Sequence, residues 1–571
     1  MDNKEIAHKF EEIAKLLELQ GENPFKVNAY FNAARTIEAL PEDLKHYFEE
    51  NKLQTLKGIG KSIAEKIEEL FRSGTIEMLE TLKSETPPGL LEMLRIPGLG
   101  PKKILALYKH LHIATVKELE YACLENRLVL LDGFGQKTQE KIQHGITMLA
   151  LYKDKHLLNE MYPLAHAIVQ FLLKNSQLRD AAIAGSLRRY KELVKDIDIV
   201  VSTTQPAEIA SYCLTCPYST EIIEQGENIC SFYAKGIRVD IKIVKTEQFA
   251  SALMHFTGSK EHNVELRRIA KQRGYKINEY GIFKSEKPES VNSEEEFYAF
   301  FDMQYIPPEL RENFGEVELA MEHNLPRLVS RDDVLGFLHV HSNWSDGIPS
   351  IEDMAKEAQR LGYHYIGIAD HSKSAAYAGG LTEKRVAEQI KIIDELNAKL
   401  KHFTVLKGIE VDILKDGSID LDDSILKELD FVIASVHSHF HMTEEEMTKR
   451  VLAALNNRYV DMIGHPTGRL LLGREPFKIN MDAVIEETKK LGKVLELNAN
   501  AHRLDIDWRN MHKFRGEDLL VSINPDAHHL DGITDMEYGI GIARKGWCQP
   551  ANIINTLTAE QLLSFLKQRK K

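Results

Sequence analysis

Apolar and polar positions alternate with a period of two along two short segments near the middle of the chain, 194–201 and 237–244. Because β-branched and apolar side chains fill the intervening positions, each segment predicts a strand with one apolar and one polar face. Asp196 and Asp198 are two residues apart in the first segment, and Asp240 lies in the second. Side chains alternate across a strand, so the first two carboxylates must point to the same side of the sheet.

The C-terminal part of the chain shows a different pattern, in which short apolar segments alternate with helical segments such as 350–361 and 383–401. It follows a connector that contains prolines and charged residues at about 305–333. Strands that alternate with crossover helices predict a parallel sheet, open or closed, and the polar residues at the strand ends favour a barrel. The predicted strands are 336–341, 364–369, 403–409, 430–436, 460–464, 493–498 and 519–524.

Length and composition limit the class of protein. At 571 residues the chain is too long for one core, so three or four domains are expected. No apolar stretch approaches the roughly 20 residues of a membrane span, and the N-terminus lacks a signal-peptide pattern, so we expect a cytoplasmic protein without membrane attachment. The five cysteines form no dense disulfide framework. Cys213 and Cys216 have the spacing of half a zinc site, but without a second pair we interpret them as ordinary surface or core residues.

Three glycine-apolar-glycine turns in the N-terminal part each precede a predicted helix that has a lysine near its start, and each is predicted to follow a helix. The formal net charge of −13 at pH 7 argues against broad attraction to nucleic acid, but helix N-termini bind phosphate without a basic surface. One such turn would be ordinary helix packing, whereas three resemble helix-hairpin-helix modules and predict binding to the DNA backbone. The glycines are Gly58, Gly60, Gly98, Gly100, Gly133 and Gly135.

The three aspartates of the two central strands are candidate metal ligands. Carboxylates gathered on neighbouring strands repel one another unless divalent cations lie between them, and Mg²⁺ or Mn²⁺ prefers oxygen ligands. A two-metal site for phosphoryl transfer follows as a hypothesis, although an Asp-x-Asp pattern alone is also common in turns and edge strands. Upstream, Gly185 and Ser186 precede Arg188 and Arg189, an arrangement suited to binding a triphosphate.

Together with the segment 255–267 (HFTGSKEHNVELR), this ordered set resembles the family X DNA polymerases. The resemblance implies that Asp196 and Asp198 bind both metals, and that Asp240 completes the inner site and deprotonates or orients the primer 3′-hydroxyl. His255 stands where many members have tyrosine, so ribose discrimination is not carried over. The resemblance assigns contacts with the dNTP and the template to Gly185, Ser186, Arg189, Phe256, Gly258, Asn263 and Arg267.

The segments 24–30 and 60–67 resemble the small N-terminal domain of the same family, in which a lysine can form a Schiff base with an abasic sugar. The matching residue is Lys66, whose amine would have to be deprotonated by desolvation or by a neighbouring positive charge. Ser62 stands where members with this activity often have another lysine. Lys66 is therefore interpreted either as the nucleophile of a 5′-deoxyribose phosphate lyase or as a helix lysine that contacts phosphate.

Histidines and carboxylates recur at the ends of successive predicted strands in the C-terminal part. The C-terminal strand ends of a (β/α) barrel meet at one face, so these residues are expected to converge. Any one histidine alone would be ordinary, but the set suits Zn²⁺, Mn²⁺ or Fe²⁺ better than Mg²⁺ alone. Its members are His339, His341, Asp346, His371, Glu410, His437, His465, Asp526 and His528.

This second set resembles the PHP (polymerase and histidinol phosphatase) phosphoesterases, which bind three metals in a distorted barrel and hydrolyse phosphate esters. The resemblance implies that all nine residues hold a cluster of up to three Mn²⁺ or Zn²⁺ ions. Beside a polymerase, a DNA 3′ end is the most economical substrate. Such a substrate implies 3′→5′ exonuclease activity, with abasic-site cleavage and removal of blocked 3′ ends as further options. His439 and His441 are interpreted as phosphate contacts or as ordinary loop histidines.

Nearly the whole chain resembles the bacterial PolX family, in which a family X polymerase is fused to a PHP domain. The resemblance implies a gap-filling repair polymerase that acts as a nucleoid-associated monomer, with gapped or primer-template DNA and dNTPs as partners. A DNA end-processing hydrolase and an inactive DNA-binding scaffold remain as alternatives. The expected domains are an all-α DNA-binding domain at 1–85, fingers-like helices at 86–150, an α+β palm at 151–250, a thumb at 251–315, a linker at 316–333 and an α/β PHP domain with a distorted (β/α)7 barrel at 334–571.

Overall fold

A computed structural model describes residues 3–38, 40, 43–96, 98–124, 127–131, 133–152, 154–516 and 518–569. The chain forms two compact units, Met1–Lys153 and Asp154–Lys571. Pro97 and Asp132, which belong to the second and third glycine turns, lie outside the described residues.

The first unit is built from helices whose apolar faces form two cores. Phe10, Tyr30 and Ile67 lie in the first core, and Ile104 and Leu119 lie in the second. The helices are α1 (Asn3–Leu19), α2 (Pro24–Glu38), α3 (Leu44–Glu49), α4 (Lys61–Ser73), α5 (Glu77–Glu85), α6 (Pro88–Met93), α7 (Pro101–Leu111), α8 (Val116–Leu124) and α9 (Gln136–Tyr152).

Each glycine turn begins with a glycine in the left-handed region, where φ is +91° at Gly58, +81° at Gly98 and +83° at Gly133. The second glycine of each turn directly precedes α4, α7 or α9. The element before the turn differs from the prediction in two cases. A single 3₁₀ turn, Leu53–Thr55 or Leu128–Leu130, precedes the first and third glycine pairs, and only the second pair follows an α-helix, α6.

The second unit starts with a five-stranded sheet in the order β2-β4-β7-β6-β5, in which β4 and β7 are parallel. Lys195 separates β3 from β4, so the predicted strand 194–201 is interrupted there. The elements are β1 (His156–Leu157), α10 (Leu158–Leu172), β2 (Leu178–Ile183), α11 (Gly185–Arg188), β3 (Leu193–Val194), β4 (Asp196–Thr203), α12 (Pro206–Cys213), β5 (Ser219–Gln225), β6 (Ile229–Ala234) and β7 (Ile237–Val244).

A small helical region with a three-stranded sheet follows, around a core that contains Leu266 and Phe297. The segment expected to be a linker is itself packed, because Val317 and Ala320 lie in this core. The elements are α13 (Phe249–Thr257), α14 (Lys260–Gln272), β8 (Lys276–Asn278), β9 (Gly281–Lys284), β10 (Lys287–Glu289), α15 (Glu294–Phe300) and α16 (Glu316–Met321).

The C-terminal region contains the seven parallel strands that the sequence predicts, in sequential order. Val340, at the end of the first strand, bridges to Ala527 beyond the last, so the sheet nearly closes into a barrel. The strands are β11 (Gly336–Val340), β12 (Tyr365–Ile368), β13 (Thr404–Asp412), β14 (Phe431–Ser435), β15 (Met462–Ile463), β16 (Val494–Asn498) and β17 (Leu520–Asn524). The helices are α17 (Ile351–Arg360), α18 (Glu383–Asn397), α19 (Asp423–Leu426), α20 (Glu444–Leu455), α21 (Met481–Lys490), α22 (Trp508–Lys513), α23 (Met536–Lys545) and α24 (Ala559–Arg569).

One apolar cluster runs through the five-stranded sheet and the barrel, and includes Ile199 and Val239 of the sheet with Ile368 and Ile409 of the barrel. All five cysteines are buried and free. Within the described ranges, the helices are too short or too polar to cross a lipid bilayer.

Candidate active sites

The three predicted aspartates of the five-stranded sheet lie side by side. In the parallel register of β4 and β7, Asp198 is opposite Asp240, and Asp196 is opposite Arg238. The Ser231 hydroxyl donates to Asp240 Oδ1 at 2.5 Å, and Arg238 Nε donates to Asp240 Oδ2 at 3.1 Å. The fold therefore gathers three carboxylates and holds one of them with two neighbouring donors.

The electrostatics of this group fit a bound cation. Burial, together with Asp196 and Asp240, raises the pKa of Asp198 to about 7. Burial, followed by the charge of Asp240, also raises the pKa of Asp196. Divalent cations such as Mg²⁺ bind clusters of carboxylate oxygens and offset this repulsion, so the residues present fit such an ion.

The turn after β2 brings its backbone against the carboxylates. Gly185 has φ +64°, and a Cβ added there would lie 2.1 Å from Asp198 Oδ2, so both the conformation and the close approach require glycine. Ser186 follows at the start of α11. The predicted strand, glycine and serine arrangement is present.

The two arginines of this turn make different contacts. Arg188 donates to Thr257 Oγ1 at 2.7 Å and pairs with Glu294 Oε2 at 2.5 Å. Arg189 donates from Nε to Glu312 Oε1 at 3.1 Å and from its guanidinium to the carbonyl of Thr257. Arg188 thus ties α11 to α13 and α15, whereas Arg189 lines the neighbouring cavity.

A cavity of about 430 Å³ lies in front of the aspartates. Asn263 donates from Nδ2 to the carbonyl of His255 at 2.7 Å, and its Oδ1 is buried with no hydrogen-bond partner among the residues that the structure describes. All seven residues predicted to contact nucleotide or template line this cavity, and Ser259 and Lys260 are lining residues that the sequence analysis missed. The lining residues are Gly185, Ser186, Arg189, Asp196, Asp198, His255, Phe256, Gly258, Ser259, Lys260, Asn263 and Arg267.

The nine predicted ligands of the barrel converge at its C-terminal strand ends. Ligand atoms lie within 4.8 Å of one another in three overlapping groups, which contain His341, Asp346, His371 and His528, then His339, His341 and Asp526, and then His371, Glu410 and His437. His465 joins the third group, because its Nε2 lies 3.1 Å from Glu410 Oε1.

Several candidate ligand atoms of this cluster are buried and have no hydrogen-bond partner in the described part of the chain. They are Nε2 of His339, both ring nitrogens of His341, Oε2 of Glu410 and Nδ1 of His465. Burial, with the neighbouring His528 and His371, lowers the pKa of His341 to about 3, so its imidazole is neutral and able to act as a ligand. Buried polar atoms without partners are costly, and mixed imidazole and carboxylate donors suit Zn²⁺ or Mn²⁺. The residues present fit a metal cluster.

Two buried carboxylates behind the histidines were missed by the sequence analysis. Glu496, fully buried on β16, accepts from His339 Nδ1 at 2.6 Å and from the His465 N–H at 2.6 Å. Asp412 accepts from His437 Nδ1 at 2.5 Å. Each fixes the orientation of a predicted ligand. The available signal was a charged residue inside an otherwise apolar strand.

An arginine at the edge of the cluster was also missed. Arg503 Nε lies 3.4 Å from Asp526 Oδ2, and the buried Nη1 of Arg503 has no hydrogen-bond partner among the described residues. His439 and His441 are exposed on the turn after β14 and belong to none of the three ligand groups. Arg503 is thus a stronger candidate for a phosphate contact than either histidine.

Lys66, the candidate lyase residue, lies on α4 and is half-buried beside the buried Ile67. It forms no ion pair within the part of the chain that the structure describes.

Family models match stretches of the chain on both sides of the five-stranded sheet. A helix-hairpin-helix domain matches residues 1–76, and a SAM-like helix-hairpin-helix tandem matches residues 90–146. The DNA polymerase beta thumb matches residues 252–312, and the PHP domain matches residues 338–500.

Relatives cover the whole chain or its barrel region. The DNA polymerase/3'-5' exonuclease PolX of Bacillus subtilis (strain 168) is 40% identical over 574 positions, which span 100% of both chains. A probable phosphatase of Thermoanaerobacter sp. (strain X514) is 26% identical over 232 residues, 39% of this chain and 89% of its own. A probable phosphatase of Caldanaerobacter subterraneus subsp. tengcongensis is 35% identical over 165 residues, 28% of this chain and 60% of its own.

A carboxylate-bearing sheet, a thumb of the polymerase beta type and a PHP barrel together define a nucleotidyltransferase of that type joined to a PHP domain. The identity to the Bacillus protein extends from end to end of both chains. The chain therefore belongs to the PolX family. The fold class and the family predicted from the sequence are confirmed.

Proposed function

We propose that the chain is a DNA-directed DNA polymerase that fills short gaps during DNA repair and also trims DNA 3′ ends by 3′→5′ exonuclease activity. The observation that carries the polymerase assignment is the register of β4 and β7, which brings three carboxylates together beside a cavity large enough for a nucleotide. Membership of the PolX family supports both activities, because the Bacillus relative is named for them.

For nucleotide transfer, Asp196, Asp198 and Asp240 would hold Mg²⁺ or Mn²⁺. Such ions, when bound, neutralise charge on the reacting phosphates and promote attack by the primer 3′-hydroxyl. Asp240 would orient this hydroxyl or accept its proton, and the donors Ser231 and Arg238, which fix the position of its carboxylate, suit the orienting role. All three side chains would therefore bind metal, and Asp240 would in addition act on the primer 3′-hydroxyl.

The other lining residues would bind the substrates. Ser186 would donate its hydroxyl and Arg189 its guanidinium to the β- and γ-phosphates, because both line the cavity beside the aspartates. Asn263 has a buried Oδ1 free to accept from the incoming base or at the minor groove. Phe256 and Gly258 would contact the dNTP, and the exposed Arg267 would contact the template strand.

For end trimming, the nine histidines and carboxylates of the barrel would hold up to three Mn²⁺ or Zn²⁺ ions. Ions of this kind, when bound, activate a water and stabilise charge on a phosphodiester. Glu496 and Asp412 would keep His339 and His437 oriented. Arg503 would hold a phosphate oxygen with its unpaired Nη1. The same residues could also serve abasic-site cleavage or removal of blocked 3′ ends.

The N-terminal unit would grip DNA through the glycine turns at Gly58, Gly98 and Gly133, whose following helices present backbone N–H groups. Lys66 would act as a lyase nucleophile or as a phosphate contact. We propose the domain division stated above, with the segment after 315 packed on the thumb. We further propose a nucleoid-associated cytoplasmic monomer that acts on gapped or primer-template DNA.

A primer assay tests both activities in one experiment. The full chain is incubated with a 5′-labelled primer on gapped DNA, dNTPs and Mn²⁺, beside Asp240→Asn and His339→Ala variants, and product lengths are read on a denaturing gel. We expect longer products to disappear only in Asp240→Asn and shorter products only in His339→Ala. Trimming without extension by the unaltered protein would replace the polymerase assignment with that of an end-processing hydrolase.

A further inference from the structure

The turn that carries Arg189 is attached to the barrel at several points. Tyr190 packs so closely on α23 that a Cβ at Gly541 would lie 2.1 Å from its ring. Arg509 of α22 donates to Glu192 Oε1 at 3.0 Å. The PHP region thus contacts the segment that places a nucleotide-binding side chain of the polymerase half.

Lys545, the last residue of α23, makes the most direct of these attachments. Its side chain is fully buried, and Nζ donates to the carbonyl of Arg189 at 2.9 Å and to Glu312 Oε1 at 2.6 Å. Nζ also lies 4.8 Å from the centre of the Trp508 ring. A barrel residue therefore contacts both the backbone of Arg189 and the carboxylate that binds its guanidinium.

Glu312 is the shared partner in this network. Its carboxylate accepts from Arg189 Nε at 3.1 Å and from Lys191 Nζ at 2.9 Å, in addition to Lys545. Although burial opposes ionisation, Lys545, Arg189 and Lys191 lower the pKa of Glu312 to about 2. Glu312 is therefore a fixed anion, and the removal of Lys545 would let both Glu312 and Arg189 change position.

Burying a lysine between two domains carries a large desolvation cost. Burial outweighs the attraction of Glu312 and lowers the pKa of Lys545 to about 8, which shows that the protein site disfavours the charge it contains. Apolar side chains of similar size often replace buried ion pairs with no loss of stability. A role in orienting Arg189 explains the charge better than a role in domain adhesion.

We propose that Lys545 is a positioning residue for the polymerase site, through which the PHP region sets the orientation of Arg189 in the nucleotide cavity. This inference rests on the proposed function of Arg189 as a ligand of the dNTP phosphates. It makes dNTP use by the polymerase half dependent on a side chain of the hydrolytic half.

The neighbouring Arg544 provides a matched control. It is a cation of the same helix and also joins α23 to the polymerase half, because it donates to Glu309 Oε1 at 2.6 Å and to the carbonyl of Val329 at 3.0 Å. Among the described residues, Arg544 forms no hydrogen bond or ion pair with Arg189 or Glu312. A loss of interdomain adhesion alone should therefore affect Arg544 and Lys545 variants alike.

The test compares Lys545→Met, Arg544→Met and Arg189→Gln in the full chain by steady-state gap filling over a range of dNTP concentrations. We expect Lys545→Met to raise the KM for dNTP about tenfold with a smaller change in kcat, because a displaced binding group loses its alignment. Arg544→Met should leave KM within about twofold. The 3′ trimming rate and the melting temperature report on folding of each variant.

The outcomes separate this inference from the proposed function. An unchanged KM in Arg189→Gln would remove the assigned role of Arg189 and the inference with it. A raised KM in Arg189→Gln but not in Lys545→Met would overturn the inference alone, as would equal increases in Lys545→Met and Arg544→Met. If Lys545→Met does not fold, Lys545→Gln takes its place, and an unchanged KM there overturns the inference.

Discussion

At the scale of single residues, Glu496 orients a candidate metal ligand, His339, and its position in the sequence does not reveal this role. It is fully buried, and it accepts from His339 Nδ1, the His465 N–H and Asn524 Nδ2, the last at 3.0 Å. Its two oxygens therefore face donors only. Because Nδ1 of His339 is bound to Glu496, Nε2 is directed toward the ligand cluster.

We predict that Glu496→Gln lowers 3′ trimming by about 10- to 100-fold, the usual effect of losing a partner behind a metal ligand. The glutamine amide group would face one of the N–H donors that now bind Glu496. His339 would then lose the hydrogen bond that fixes its tautomer. The rate of primer shortening and the metal content of the purified protein measure the effect, and gap filling should persist.

Asp461→Asn is the control for this change. Asp461 is also a buried carboxylate of the barrel, but it accepts from the Val432 N–H at 2.9 Å, at the start of β15 and away from the strand ends that carry the ligands. Its substitution should leave trimming per folded molecule unchanged. If Glu496→Gln trims as fast as Asp461→Asn, Glu496 does not govern His339.

At the scale of elements, glycine is present at the two positions of each N-terminal turn for different physical reasons. Gly58 has φ +91° and is required by the backbone, whereas Gly60 has φ −78° and any residue could adopt its conformation. Apart from its chain neighbours, a Cβ added at Gly60, Gly100 or Gly135 would meet no atom of the described residues within 4 Å. Space reserved beside a helix N-terminus is what close approach of a phosphate backbone requires.

We predict that the double variant Gly60→Ala, Gly100→Ala keeps its melting temperature but binds gapped DNA about tenfold more weakly per altered turn. Each methyl group would keep a phosphate from the backbone N–H groups, and a hydrogen bond to a charged group contributes about 1.5–3 kcal/mol. Fluorescence anisotropy at one fixed salt concentration measures the affinity.

Gly58→Ala serves as the opposite case. Alanine is strained at the positive φ of this position, so the free energy of unfolding should fall by about 1 kcal/mol or more, and the melting temperature should fall with it. Unchanged DNA affinity in the double variant would show that these turns do not approach the phosphate backbone.

The elements themselves could largely be predicted, because each apolar run in the barrel is bounded by polar residues and lies in a parallel, buried strand. The convergence of the nine candidate ligands could be predicted because the strand ends of a barrel meet at one face. Partnerships across the fold could not be predicted. His339 and Glu496 are 157 residues apart, and Arg189 and Lys545 are 356 residues apart. Local patterns contain no information about such pairs. The same holds for the break at Lys195, where Val194 pairs with His156 of β1 and Asp196 pairs with Arg238 of β7.

At the scale of the whole molecule, the polymerase half and the hydrolytic half of the second unit share one apolar core. Ile199 of β4 belongs to the same cluster as Ile368 of β12. Ion pairs also cross the same boundary, such as Lys545 with Glu312 and Arg509 with Glu192. A common core implies that the two halves unfold together, although their active sites carry out different reactions.

We predict that Ile199→Ala lowers the unfolding midpoint reported by tryptophan fluorescence, by about 2–5 kcal/mol in the free energy of unfolding. Trp508 contacts Phe314, and Trp547 lies in the core that contains Leu266 and Phe297, so both are replaced by phenylalanine in the reporter protein. The remaining Trp344 lies in the barrel region and reports on a change made in the sheet of the polymerase half only if both halves unfold together. Ile67→Ala changes an equally buried residue of the first unit. It should leave the tryptophan midpoint unchanged and lower only the midpoint at which the helical circular dichroism of the first unit is lost. A tryptophan midpoint that does not move in Ile199→Ala, while the helix and sheet signal of the second unit melts earlier, would show that the two halves unfold independently.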